Sequence, residues 1–91
     1  MTEQDRIERG HKAKAILDNP VYGEAFSTLR DKLIAEWEAT RMSDEAERER
    51  IWALMQMLKR VNQYFEGVAK TGELTAKNIA AEPNRRRFGV I

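Results

Sequence analysis

The chain has 91 residues, of which 34% are charged, and a formal net charge of +1. This length allows one domain at most and excludes a large enclosed active-site cleft. The near-neutral charge excludes a polybasic nucleic-acid binder or an acidic tail as a description of the whole molecule. Without cysteine there are no disulfides or thiolate metal sites. No apolar run approaches the roughly 20 residues of a membrane span, so we expect neither a membrane partner nor a classical secretion signal.

The first predicted element is a short N-terminal helix or arm over residues 1–18. Thr2 is suited to cap it, and the acidic residues that follow suit the positive end of the helix dipole. Its apolar residues form no continuous stripe, and Gly10 lowers the helix propensity. We therefore expect a mobile arm that docks only near Ile16 and Leu17.

The next two predicted elements are long helices that form an antiparallel αα-hairpin over residues 19–72. Asn19 is placed to cap the first of them, and Pro20 is pre-set for its first turn. The connection that follows is short, which makes neighbouring helices antiparallel. Asp44, with Glu47 three residues later, has the capping-box spacing that should open the second long helix.

This second long helix, predicted from Asp44 to about Thr71, carries the clearest apolar pattern of the chain. Gly72 is suited to end it as a left-handed C′ residue. Asn62 lies within the apolar arc, where it either fixes the register or the oligomer number by requiring a partner, or reaches water at the edge. Six apolar residues recur in steps of three and four, as in the a/d seam of a heptad: Ile51, Leu54, Leu58, Val61, Phe65 and Val68.

The apolar arc of this helix is wider than one antiparallel partner can cover. Further apolar residues flank the seam on both sides, so that the arc spans roughly 180° on a helical wheel. A small domain without cysteines or metal ligands has association as its remaining source of stability. We therefore expect a homo-oligomer or an obligate complex. The predicted contact residues belong to types enriched in interfaces, and they are Trp52, Met55, Met57 and Tyr64.

The chain beyond the hairpin, residues 73–91, is predicted to be an irregular C-terminal segment that ends in a basic tail. Pro83 should stop any short helix before it. Three arginines are a small patch for a nucleic-acid footprint, so docking on a protein neighbour is somewhat favoured over contact with nucleic acid. The tail residues suited to bind phosphates or carboxylates, or to enter a pocket, are Arg85, Arg86, Arg87 and Phe88.

Signals for catalysis, cofactors or metals are weak. His11 lies on the charged arm, without a second ligand at a suitable spacing. The acidic cluster over residues 44–49 is interleaved with arginines, and helix-dipole complementarity explains it without a metal. There is no glycine-rich phosphate loop or nucleophile elbow. We therefore predict no catalytic, cofactor-binding or metal site, and no enzymatic activity.

A set of cap and core residues runs through the chain over about residues 18–75. Its members are an Asn19-Pro20 start, Ala25-Phe26, Leu29, Leu33, a Trp37-x-x-Thr40 motif, an Arg48-Glu49-x-Ile51-Trp52 opening of the second long helix, Leu58, Val61, and a Gly72-Glu73-Leu74 exit. This set resembles a group of short helical proteins encoded by tailed phages and prophages, and it leaves out the tail from residue 85 onward. The resemblance implies a protein encoded among virion morphogenesis genes without an assigned reaction.

Three functional hypotheses follow. The leading one is a non-enzymatic, all-helical phage virion or assembly protein that binds copies of itself or a phage structural protein. The second is an intracellular protein that inhibits or redirects a host enzyme through the same apolar arc. The third is an accessory protein that binds nucleic acid through Arg85–Arg87. The expected locations are the virion or the host cytoplasm, and no hypothesis calls for a cofactor.

Overall fold

The computed structural model describes the backbone of residues 1–90 and the side chains of residues 1–81. Helix α1 spans Glu3–Leu17, α2 spans Pro20–Glu38 and α3 spans Glu45–Val90, and the described backbone contains no strand. The predicted all-α class is therefore confirmed. At about 1.5 Å per residue, the 46 residues of α3 account for most of the 72 Å length of the molecule.

Capping residues set the starts of α1 and α2, as predicted. The Thr2 hydroxyl accepts a hydrogen bond from the Asp5 backbone N–H at 3.1 Å, and the Asp5 carboxylate accepts one from the Thr2 N–H at 3.2 Å. Asn19 Oδ1 accepts a hydrogen bond from the Val21 N–H at 2.8 Å, and Pro20 occupies the first helical position. Each cap satisfies amide groups that the first helical turn leaves without an intrahelical partner.

The capping box predicted at the start of α3 does not form. Asp44 instead accepts a hydrogen bond from the Arg41 N–H at 3.0 Å, which closes the turn before the helix. Both oxygens of Glu47 bind Arg50, with a shortest N–O distance of 2.6 Å. A guanidinium one turn along the same helix face competes with the cap amide for this carboxylate. The hydrogen bond from Arg50 lowers the pKa of Glu47.

Two glycines seat α1 directly on α3. A Cβ added to Gly10 would lie 2.8 Å from the Gly72 Cα, and a Cβ added to Gly72 would lie 2.8 Å from the Arg6 carbonyl oxygen. Gly10 and Ala13 are both buried, while Ile16 is 39% exposed. The expectation of an arm docked only at its C-terminal end is therefore wrong. Small residues make the contact between α1 and α3, and a search for periodic large apolar residues does not detect them.

Helix α3 continues through Gly72, so the predicted helix end at this residue is wrong. No glycine in the described backbone has a positive φ, which excludes a left-handed cap there. Because Gly72 has no Cβ, the backbone of α1 can approach α3 closely at this position instead. The prediction of an irregular segment after residue 72 is also wrong, because α3 passes Pro83 and ends at Val90. A proline removes one backbone hydrogen bond from a helix and kinks it, without necessarily ending it.

Helix α2 packs against the N-terminal half of α3. Near the start of α2, the Tyr22 hydroxyl donates to Asn62 Oδ1 at 3.2 Å. Near its end, Arg48 of α3 lies over the Trp37 ring and donates to the Thr40 hydroxyl. These contacts are compatible with the predicted hairpin.

Candidate protein interface

The apolar seam predicted on α3 is only partly covered by the two shorter helices. Ile51 is 1% exposed, and Leu58 and Phe65 are half-buried. Leu54 and Val61, which belong to the same predicted seam, are each 43% exposed. In a closed a/d seam the partner helix covers every layer. Here Leu54 and Val61 stay exposed, so the stripe that the neighbouring helices cover is narrower than predicted. Leu54 and Val61 lie at its open edge.

One flank of α3 forms an open groove with α2, which we call the Trp52 groove and define by Phe26, Ile34, Trp52 and Met55. Its volume is about 530 Å³. Trp52 is 59% exposed and Ile34 is 40% exposed. Arg30 and Lys59 also line this groove, and they give it positively charged edges.

The opposite flank of α3 carries a second apolar row, which we call the outer seam and define by Leu54, Met57, Val61 and Tyr64. These side chains are 43%, 57%, 43% and 61% exposed, respectively. Their spacing of three, four and three residues places them within an arc of about 80° at 100° per residue. On the same wheel, Trp52 lies on the other side of the covered stripe. The outer seam and the Trp52 groove are therefore separate surfaces.

The outer seam ends where α1 begins to cover α3. The Arg9 guanidinium of α1 donates to the Tyr64 hydroxyl at 3.2 Å, and the Tyr64 ring meets the Phe65 ring edge-on, with centroids 5.8 Å apart. The next apolar residue of the row is Val68, which is half-buried and whose carbonyl oxygen lies 3.3 Å from a Cβ built on Gly10. One stripe of α3 is thus covered by α1 beyond Tyr64 and open before it.

The four contact residues predicted from the sequence do not form one surface. Trp52 and Met55 lie in the groove, where Met55 is half-buried, whereas Met57 and Tyr64 lie on the outer seam. Sequence reasoning placed the other two outer-seam residues in the hairpin core. The signal that could have found them is the 3-4-3 spacing that they share with Met57 and Tyr64.

The end of the α2–α3 pair is held by a cluster around Arg48. Its guanidinium carbon lies 3.8 Å from the centroid of the Trp37 ring, and its Nη1 donates to the Thr40 hydroxyl at 2.9 Å. The Thr40 hydroxyl donates in turn to the Trp37 carbonyl oxygen at 2.6 Å. Cation–π stacking and a charge-assisted hydrogen bond both stabilise such a contact. The Trp-x-x-Thr motif and the arginine of the sequence resemblance are therefore parts of one packing contact.

Asn62 finds its partners within the chain. Besides accepting from Tyr22, it donates through Nδ2 to Glu66 Oε1 at 2.8 Å. Burial raises the pKa of Tyr22, and the nearby Glu66 carboxylate adds to this effect. A half-buried amide that bonds across two helices favours one register of those helices over others. This arrangement agrees with the register interpretation of Asn62, with Tyr22 as the partner.

The predicted tail contacts, Arg85, Arg86, Arg87 and Phe88, lie outside the side chains that the structure describes. Within the described part of the chain, no group of three or more carboxylates or histidines is placed to hold a metal ion, and His11 is exposed. None of the described helices has both the length and the apolarity needed to cross a membrane.

Comparison of the chain with protein-family models, curated proteins and solved structures finds no match. On the described surface, the Trp52 groove and the outer seam are the prominent apolar features.

Proposed function

We propose that this protein is a non-enzymatic phage virion or assembly protein that acts by helix-mediated association, with copies of itself or with a larger structural partner. In this proposal α2 and α3 form an antiparallel hairpin that presents an apolar surface on each flank. The observation that carries the proposal is the exposure of Trp52, Met57 and Tyr64, each more than half exposed on α3. Types such as Trp, Tyr and Met are enriched where proteins bind one another.

The residues that resemble the phage proteins support a structural role. Trp37, Thr40 and Arg48 hold α2 to α3, and Gly72 admits the backbone of α1. These are packing contacts between helices. A structural protein acts through the shape of its folded surface. Such a role needs packing contacts that hold the helices in place, and it needs no reactive group.

Solution mass tests the association. Light scattering at low and high salt, with and without a short DNA duplex, should find an oligomer whose mass responds to neither salt nor DNA, because burial of apolar surface does not depend on charge. A monomer that binds the duplex only at low salt would overturn the proposal in favour of the nucleic-acid hypothesis, since phosphate contacts weaken steeply with salt.

Particle composition tests the virion assignment. Mass spectrometry of purified particles and of their assembly intermediates should find the protein at a constant ratio to the major structural proteins. Recovery of the protein on a host enzyme, together with its absence from particles and intermediates, would favour the host-directed hypothesis instead.

A further inference from the structure

We propose that α1 is a releasable strap, which opens from α3 as a unit while the α2–α3 pair stays folded. Opening extends the exposed apolar row of α3 beyond Tyr64. The proposal goes beyond the proposed function, because it concerns a motion within one chain and assumes no partner.

Few interactions hold α1 on α3. The buried residues of α1 are Gly10 and Ala13, which contribute little apolar area, and Ile16 is 39% exposed. Among the described side chains, the hydrogen bond from Arg9 to Tyr64 is the one that joins α1 to α3, and none of the ion pairs among them does so. A segment with few buried apolar contacts opens at a lower free energy than the rest of a fold.

The α2–α3 pair has contacts of its own. The Tyr22 ring meets the Phe65 ring edge-on, with centroids 5.7 Å apart, and the Tyr22 hydroxyl donates to Asn62. At the other end of the pair, Arg48 lies over the Trp37 ring. None of these contacts includes a residue of α1, so they persist when α1 leaves.

The link between α1 and α2 provides a hinge. Asp18 and Asn19 separate the two helices, and Pro20 occupies the first position of α2. Proline has no N–H and its ring clashes with a preceding helical turn, so α1 and α2 do not merge into one helix. The Asn19 side chain bonds to the Val21 N–H within α2, and this cap keeps the start of α2 intact when α1 moves.

Opening changes the apolar surface of α3. In the closed state the exposed row ends at Tyr64, and the next apolar residue, Val68, is half-buried with its carbonyl oxygen 3.3 Å from a Cβ built on Gly10. When α1 leaves, Val68 joins the exposed row, which lengthens by about one helical turn. The released α1 loses its helix, because 15 residues are too few for a stable helix in water. The strap therefore couples the folding of α1 to the apolar area that α3 exposes.

Labelling of a single introduced thiol tests the strap, since the unchanged chain has no cysteine. Val68→Cys places the thiol under α1, and its reaction rate in buffer is compared with its rate in urea. The variant is then combined with Ala13→Asp, which puts a charge into the buried contact between α1 and α3. The matched control is Ala15→Asp, which puts the same charge on the exposed side of α1.

The strap predicts a different outcome for each of the paired variants. Ala13→Asp should raise the labelling rate of Val68→Cys in buffer by about tenfold or more, because the thiol reacts in the open state, and Ala15→Asp should leave this rate unchanged. By circular dichroism, Ala13→Asp should lose about a fifth of the helix, since α1 holds 15 helical residues against 19 in α2 and 46 in α3. The remaining helix should still unfold cooperatively.

Two results would overturn the proposal. The first is a labelling rate that Ala13→Asp leaves unchanged. If Ala13→Asp instead loses much more than a fifth of the helix, native-state hydrogen exchange of the unchanged chain decides, and the amides of α1 should then exchange together at a lower opening free energy than those of α2. Equal protection of the two helices is the second result, because α1 would then open only in global unfolding. Neither result involves solution mass or particle composition, so failure of the strap is distinguishable from failure of the proposed function.

Discussion

Replacing Gly72 by alanine tests whether α1 rests on α3 by direct backbone contact. The new Cβ would lie 2.8 Å from both the Gly10 Cα and the Arg6 carbonyl oxygen, well inside the optimum of about 3.5 Å or more. Because both neighbours are backbone atoms, α1 has to move by about 0.7 Å as a unit to restore that distance. Such overpacking lowers the free energy of unfolding by about 1–3 kcal/mol. The higher helix propensity of alanine over glycine raises it by about 1 kcal/mol. We expect a net destabilisation of about 1 kcal/mol.

Gly67→Ala is the matched control, because it lies five residues earlier in α3 and a Cβ there meets nothing within 4 Å. It should stabilise the protein by about 1 kcal/mol, so the two variants should differ by about 2 kcal/mol. Thermal unfolding followed by circular dichroism at one protein concentration measures this difference. For a domain of this size, 1 kcal/mol corresponds to about 4–8 °C in Tm. If Gly72→Ala stabilises as much as Gly67→Ala, the backbones of α1 and α3 are not in contact.

Three further predictions concern the α2–α3 pair. Leu58→Asp should lower Tm strongly by placing a charge at a half-buried position between α2 and α3, and an unchanged Tm by circular dichroism would show that this face of α3 is not covered. Trp52→Ala, at a side chain 59% exposed, should lower incorporation into purified particles more than it lowers Tm; a loss of Tm alone would place Trp52 in the core. Tyr22→Phe should cost about 1 kcal/mol at neutral pH by removing the hydrogen bond to Asn62. Because burial raises the pKa of Tyr22, its stabilising effect is complete below the unfolded pKa of about 10 and is lost as pH rises through the folded value. Alkaline unfolding curves should therefore converge for the two proteins, and a constant gap between them would contradict this assignment.

The all-α class and the first two helix starts were predictable because they depend on neighbouring residues alone. Thr2 caps α1, and Asn19 with Pro20 opens α2, through bonds that reach no further than three residues. The capping box at Asp44 was not predictable in the same way. Its outcome depends on whether Glu47 binds the cap amide or Arg50, and the sequence offers both partners at a similar spacing.

The position of α1 could not be read from local sequence. A glycine such as Gly72 is suited either to end a helix or to let another backbone approach, and only the position of Gly10 decides between them. The outer seam was hidden for a related reason. Two rows of 3-4 spacing overlap on α3 and share Leu54 and Val61, and the direction in which α2 crosses α3 decides which row is covered.

Little apolar surface is buried within the chain, so the proposed association would contribute to the stability of the fold. Among the side chains that the structure describes, the buried apolar ones are Ala13 at 4% exposure and Ile51 at 1%. Helices in proteins are stabilised mainly by tertiary packing of their apolar faces rather than by propensity. Covering the flanks of α3 in a complex therefore adds to the free energy of unfolding, and Tm should rise with protein concentration.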